Sequence, residues 1–531
     1  MSIVILFAGL EIIALSQKMA NMPAAKRPNI IIILADDMGY SDINCFGSDI
    51  QTPNINALAK TGLVMTQFYN ASRCCPTRAS LLSGLYQHQA GMGDMVEPRK
   101  ELAYQGFLNS NCVTIAEVLK TAGYNTYMTG KWHVGTAPEN WPVKRGFDHY
   151  LGLIDGAGSY FNPIAPYRPN QHLTIALDDK PITPGPNWYS TDSYGDYAVK
   201  YIKENKSTGK PFFLYTAFTS PHWPLQALPE DIAKYKGKFM KGWDVLRAER
   251  LKKMIALKIV PKDTKLSPRD KSVPEWYSLT EAEKQDFDDK MAVYAAMIDR
   301  MDQNIGRILK ALKETGEDKN TLIMFLSDNG ASHEGINGNG FLPEIISAGK
   351  KMASDPTSFT SYGSRGANVS NTPLRMFKHW EYEGGTATPF IANAPFIRQP
   401  VQSDKPAHII DLMATCLDAA GVSYPETYKG NSIIPKEGIS LLPLMKQEKW
   451  QGHDALFFEH EGNRAVRAGG WKLVSQYPEN VWQLYNINED RTELNDQAHA
   501  YPDRVKEMEN LYQNWAQRVG VIAFEKLGKS K

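Results

Sequence analysis

Residues 29–37 read NIIIILADD, an unbroken run of isoleucine and leucine that stops abruptly at two aspartates. The lack of alternation predicts a strand buried on both faces, as in the interior of a parallel sheet. Three further stretches share this form. YNTYMTG (124–130) runs into Lys131-Trp132-His133, PFFLYTAF (211–218) into TSPHWP with His222, and TLIMFLS (321–327) into Asp328-Asn329. Between them lie helical patterns such as TIAEVLKTAG (114–123), with Gly123 as its C-terminal cap, and DDKMAVYAAMIDRMDQNIGRILKALKETG (288–316). The alternation predicts an α/β fold with a large, mostly parallel sheet sandwiched by helices.

In an open parallel sheet, ligands bind beyond the carboxyl ends of the strands. Asp36, Asp37, Lys131, His133, His222, Asp328 and Asn329 are therefore expected on one rim. Any one of these endings alone reads as an ordinary turn or cap. Four at the same end of four strands do not. Three carboxylates and an amide carbonyl form a hard, oxygen-only donor set suited to Ca²⁺ or Mg²⁺. The lysines, histidines and Arg78 around them suit a tetrahedral anionic ester, sulfate or phosphate.

Outside the rim, the chain divides by character. Residues 1–23 form a leader whose apolar run is interrupted by Glu11; it reads as an imperfect export signal, implying a periplasmic or secreted protein, and is too short and broken to span a membrane. A catalytic domain is expected over 24–450, with a highly charged insertion at about 235–285 carrying its own short helices. From about 451 to 531 a small C-terminal α+β subdomain follows. There RAVRAGGWKLV (464–474) and WQLYNIN (482–488) read as antiparallel strands, and YPDRVKEMENLYQNWAQRVG (501–520) as a closing helix. The 59 basic and 58 acidic residues nearly cancel, which argues against a nucleic-acid or anionic-membrane partner. Five cysteines, Cys45, Cys74, Cys75, Cys112 and Cys416, are too few and scattered for a disulfide framework.

The stretch SRCCPTRASLLSG (72–84) places two adjacent cysteines directly before a proline and an arginine. Cys74-Cys75-Pro76-Thr77-Arg78 fits C-x-P-x-R and resembles the signature of the type I sulfatases, of the alkaline phosphatase superfamily. GYNTYMTGKWH (123–133) resembles that family's second signature, and the likeness extends from PNIIIILADDMGYSD (28–42) to WQLYNINEDRTELND (482–496). The arylsulfatase branch is the most similar. The resemblance implies that Cys74 is oxidised to formylglycine by a formylglycine-generating enzyme, while the adjacent Cys75 is a variable position with no joint role. Pro76 is expected at the first helical position, with residue 74 just ahead of the helix. The hydrated aldehyde offers two geminal hydroxyls, one to attack sulfur and one whose deprotonation expels sulfate.

By the same resemblance, Asp36, Asp37, Asp328, Asn329 and the modified residue 74 bind the cation, Ca²⁺ or alternatively Mg²⁺. Arg78 and Lys131 hold the hydrate and the sulfate, His133 assists release of sulfate, and His222 and Lys378 help the alcohol depart. Lys378 is assigned from its place before EGG in FKHWEYEGG (377–385). Many sulfatases continue as EGGxRxP, whereas this chain has EGGTATP with Ala387 at the arginine position, so no salt bridge is expected from that residue. EHEGNRAVR (459–467) either brings His460 or Arg464 to the organic part of the substrate or is an edge strand of ordinary polarity. The expected reaction is hydrolysis of aryl sulfates or sulfated carbohydrates. A phosphonate or phosphate monoester hydrolase of the same superfamily is the nearest alternative, followed by a sulfated-glycan-binding pseudoenzyme and a scaffold protein.

Overall fold

The computed structural model describes residues 27–336 and 340–527; the leader lies outside them. The large sheet has eleven strands: β1 (Asn29–Ala35), β2 (Leu63–Tyr69), β3 (Asn125–Gly130), β4 (His149–Leu153), β5 (Ile175–Leu177), β6 (Lys180–Ile182), β7 (Phe212–Ala217), β8 (Thr321–Ser327), β9 (Ala387–Asn393), β10 (Val401–Ser403) and β11 (Ala407–His408). Their order is β10-β2-β9-β8-β1-β7-β3-β4-β5-β6, with β11 also pairing β2. Strand β1 lies at the centre, with parallel ladders to β7 and β8 that set Ile30 against Phe213 and Leu322. Only β9 and β5 run against the rest.

The unbroken run in β1 is explained by its two buried faces. Ile31 and Ile33 enter one core with the long helix Glu281–Thr315 and the helix Ser190–Asn205. Ile30, Ile32 and Leu34 enter the other, with the helices Cys74–Ser83, Ile115–Thr121 and Asp411–Ala420. Fully burying each such side chain contributes about 1.5–3 kcal/mol. The long helix begins earlier than its periodicity predicts. Thr280 and Glu283 form a reciprocal capping box ahead of Glu281, and Gly316 ends the helix at φ 74°.

The charged insertion carries the helix Trp243–Ala256 and the short 3-10 turn Trp276–Ser278, with the helix Pro229–Ala233 just ahead of it. It is tied to the rim by a buried pair, Arg250 Nη1 to Asp42 Oδ1 at 2.7 Å. The other Asp42 oxygen accepts from the Gly39 backbone N–H at 3.0 Å and the Tyr294 hydroxyl at 2.7 Å, which shapes the loop following Asp36 and Asp37.

At the C-terminus, strands Ala455–His460, Asn463–Ala468, Trp471–Ser475 and Trp482–Asn486 form an antiparallel sheet. The helix Pro502–Val519 packs on it through Met508, Tyr512 and Trp515. RAVRAGGWKLV is thus two strands turning at Gly469-Gly470; of EHEGNRAVR, Glu459 and His460 end the edge strand of this sheet, while residues 463–467 lie in the interior strand beside it.

Candidate active site

The four strands that end in polar residues are neighbours, in the order β8-β1-β7-β3, and all run the same way. Their endings therefore meet on one rim, as the sequence predicts. Strand β2 delivers the helix Cys74–Ser83 to the same rim. Because β9 is antiparallel, its preceding loop arrives there too, carrying Lys378. Asp36, Asp37, Cys74, Arg78, Lys131, His133, His222, Asp328, Asn329 and Lys378 are all buried.

Arg78 organises the carboxylates. Its Nε and Nη2 donate to Asp328 Oδ2 at 3.1 and 2.8 Å, and its Nη1 donates to the Lys131 carbonyl at 3.0 Å. Lys131 Nζ meets Asp36 Oδ2 at 2.7 Å. The Asp37 backbone N–H donates to Asp328 Oδ1 at 3.1 Å, and the Asn329 amide donates to Asp37 Oδ1 at 2.7 Å. Lys378 Nζ lies 3.0 Å from Asp37 Oδ2, and His222 Nε2 lies 3.4 Å from the same oxygen. The Trp223 carbonyl stands 2.7 Å from His222 Nδ1 and fixes the tautomer with the proton there, so Nε2 faces the site.

The electrostatics leave this cluster short of positive charge. Burial, reinforced by the Asp36 charge, pushes the Asp328 carboxyl up to about 8 despite Arg78. Burial also raises Asp36, and Lys131 and Arg78 do not fully offset it. Asp37 is the exception: burial would raise it, but Lys378 and His222 together hold it below its ordinary value. Asp36 Oδ1 and Asn329 Oδ1 are buried without a partner. Such orphaned oxygens cost free energy unless something binds them. A hard divalent cation fits this donor set.

The helix corrects one expectation. It opens at Cys74 with Arg73 as its N-cap, so Pro76 is the third helical residue and residue 74 lies within the first turn. Proline is tolerated there because the first four N–H groups have no partner inside the helix. The first bond closes from Thr77 N–H to the Arg73 carbonyl at 2.9 Å.

The two cysteines also differ more than their adjacency implies. The neighbouring Cys75, with Lys131, His133 and Lys378, holds the Cys74 thiol well below its ordinary value against burial. Cys75, buried against Met95, is pushed well up by desolvation. The Cys75 thiol itself lies 3.9 Å from the Asp94 carbonyl and 3.4 Å from the Met95 sulfur. All five cysteines are free thiols.

His133 comes within 4.8 Å of both sulfurs. Burial drops its imidazole to about 4, so the ring is neutral and can accept a proton. Backbone strain gathers in this region. Asp37 (φ 64°), Ser72 (φ 53°) and His133 (φ 55°) all take the left-handed conformation that non-glycine residues seldom adopt.

Of the two residues offered from 459–467, the structure brings in one. His460 is fully buried beside His379, with ring centroids 5.6 Å apart. Arg464 points the other way, stacking over Trp482 with its guanidinium carbon 4.7 Å from the ring centroid. Sequence reasoning missed Glu334, whose carboxylate receives Arg73 at 2.7 Å, Trp223 Nε1 at 2.9 Å and Lys378 at 3.4 Å. Its signal was its position in SDNGASHEG, six residues beyond Asp328.

Ala387 lies opposite Tyr69 in the ladder. The glutamate of EGG finds its cations elsewhere: Glu383 pairs with Lys472 at 3.1 Å and Arg491 at 3.2 Å, both from the C-terminal region.

A model of the sulfatase family matches residues 28–422. The chain belongs to the sulfatase family. A second model, the C-terminal region of N-sulphoglucosamine sulphohydrolase, matches residues 375–517 of this sulfatase. An arylsulfatase of Klebsiella aerogenes is 36% identical over 436 residues, spanning 80% of this chain and 93% of the relative. An uncharacterized sulfatase of Schizosaccharomyces pombe is 35% identical over 529 residues, spanning 94% and 95%. Among solved structures, Ps i-CgsB in complex with k-i-k-neocarrahexaose aligns with a TM-score of 0.67 at 25% identity, over 92% of this chain and 93% of that one. The fold is thus the one these sulfatases share, and the chain is an enzyme that hydrolyses sulfate esters. Among the described residues, no helix is long and apolar enough to cross a membrane.

Proposed function

We propose that this sulfatase cleaves sulfate monoesters, aryl sulfates or sulfated saccharides, with a formylglycine made from Cys74 and one Ca²⁺ or Mg²⁺ ion. The supporting observation is the convergence of Asp36, Asp37, Asp328 and Asn329 around two orphaned oxygens, at the side of the rim where Cys74 enters. These four residues and residue 74 would hold the ion. When present, the cation supplies a Lewis acid and the hydrated aldehyde an oxygen nucleophile with a second hydroxyl in reserve.

The remaining roles fall to side chains already in position. Arg78 and Lys131 pair with the acidic groups and present fixed positive charge to the sulfate oxygens. Lys378 and His222 share Asp37 and would face the bridging oxygen as it gains charge, assisting departure of the alcohol. Burial lowers His222 to about 4, and the anionic ester would favour its protonation at Nε2. Neutral His133 takes the proton from residue 74 that accompanies release of sulfate.

Mass spectrometry of the peptide containing residue 74, after expression with a formylglycine-generating enzyme, tests the nucleophile. Rates on matched aryl sulfate and aryl phosphate esters test the ester. An unconverted but fully active enzyme would overturn the first assignment, and a faster phosphate reaction the second.

A further inference from the structure

Partly exposed polar side chains neighbour the buried centre. Arg73 and Glu334 are 16% and 25% exposed, and His379 and Glu461 are 25% and 28% exposed, whereas the side chains of Arg78, Lys131 and Asp36 beneath them are fully buried. Arg73 directly precedes Cys74. Its guanidinium is fixed at one end, Nη1 to Glu334 Oε1 at 2.7 Å, while its Nε is buried without a partner. Glu334 is itself fixed, because its other oxygen accepts from Trp223 and Lys378. The Arg73 charge also acts on His333 and His460, and His333 Nδ1 and both His460 ring nitrogens are likewise buried without a partner.

We propose that Arg73, positioned by Glu334, is a specificity-determining residue that hydrogen-bonds a neutral hydroxyl on the carbon next to the sulfated one. The unpartnered Nε–H would donate to the hydroxyl oxygen. The hydroxyl proton would in turn find an acceptor in a ring nitrogen of His460. Such a mutual pairing satisfies groups that are otherwise buried and unmet.

Charge excludes the rival ligand, a second anionic group. Both Glu334 and Glu461 act on Arg73, so its positive charge is already countered. His333, His379 and His460 are neutral, held by burial at about 4, 3 and 4. A carboxylate placed here would meet Glu334 and Glu461 beside Arg73, and the nearby Lys378 is already shared between Glu334 and Asp37. The proposal rests on the sulfatase reading and adds the part of the substrate that this enzyme recognises.

Three aryl esters test it: phenyl sulfate, 2-hydroxyphenyl sulfate and 2-carboxyphenyl sulfate. Arg73→Met is expected to lower kcat/KM for the hydroxyl ester about tenfold more than for phenyl sulfate, chiefly through KM, the loss expected for one hydrogen bond to a charged group. Glu334→Gln removes a countering charge, so the carboxyl ester should gain on the hydroxyl ester. Equal losses on all three esters with Arg73→Met would overturn the proposal, as would an unchanged hydroxyl-to-carboxyl ratio with Glu334→Gln. If Arg73→Met fails to fold, the Glu334→Gln ratio decides alone. Turnover of phenyl sulfate by the unaltered enzyme reports separately on the sulfatase reading.

Discussion

Gly156 packs directly against the ring of His133: a Cβ built on it would stand 2.5 Å from Nε2 and 2.6 Å from Cε1. Real Cβ atoms do not approach so closely, so the ring must move if the position is filled. Gly156→Ala is therefore expected to turn the imbalance onto the sulfate-release step. Pre-steady-state kinetics should show a burst of alcohol followed by slower turnover, and a steady rate equal to the parent's would contradict this role for His133.

His222 and His133 face different partners, and their variants should separate by leaving group. His222→Ala is expected to lose ~10²–10⁴ in rate on esters of poorly acidic alcohols, and much less on 4-nitrophenyl sulfate. A Brønsted plot over phenols of graded acidity reads this directly. A slope unaltered by the substitution would remove His222 as the leaving-group acid.

Asp328→Ala deletes an oxygen ligand and frees Arg78 from its best partner. Bound Ca²⁺ or Mg²⁺, measured by elemental analysis, should be lost together with activity, by at least ~100-fold. Stoichiometric zinc in the unaltered enzyme, with neither group 2 metal, would mean that the oxygen-only site has been misassigned.

The two cysteines should separate cleanly. Cys74→Ala is expected to abolish turnover, and Cys75→Ala to leave a working enzyme with a less acidic thiol at 74 before conversion. Peptide mapping that finds the aldehyde at 75 would reverse the assignment.

Glu381 gives a pH dependence of stability away from the cation ligands. Its carboxyl receives the Ser72 hydroxyl at 2.8 Å, and burial pushes it up to about 8 from an ordinary 4.5. The folded chain keeps this proton through a range in which the unfolded chain releases it. The group's contribution to stability is therefore greatest below about 4.5 and falls as pH rises towards 8. Glu381→Gln should flatten that decline in denaturant titrations at pH 5 and pH 8. A parallel offset at both would rule out this titration as the cause.

The rim was legible in the sequence because parallel strands carry their own signature. A run buried on both faces cannot alternate, and a polar residue ending it marks the carboxyl edge, which is how Asp36, His133, His222 and Asp328 were found. The C-terminal strands were less clear, since Gly469-Gly470 hides a turn inside one stretch. The choice between His460 and Arg464 stayed open because strand faces cannot be assigned without register: Arg464 covers Trp482. The helix start was misjudged by two residues because proline fits any of the first helical positions. Glu334 and Arg73 were invisible as a pair, being brought together only by the fold.

Strand order also has a consequence during synthesis. All the partners of β2, namely β9, β10 and β11, lie C-terminal to it, the first of them beginning at Ala387. The strand that carries the Cys74 segment therefore has no ladder to join until almost three-quarters of the chain has left the ribosome, long after Asp36, Lys131 and Asp328 have been made. This gives a modifying enzyme a lengthy interval in which residue 74 is still unclosed. Nascent chains halted before Ala387 should be oxidised at Cys74 at least as readily as full-length ones. Resistance in the halted chains would show that the segment closes by another route. If Cys74 is converted to formylglycine, the topology of the sheet sets the interval in which that can happen.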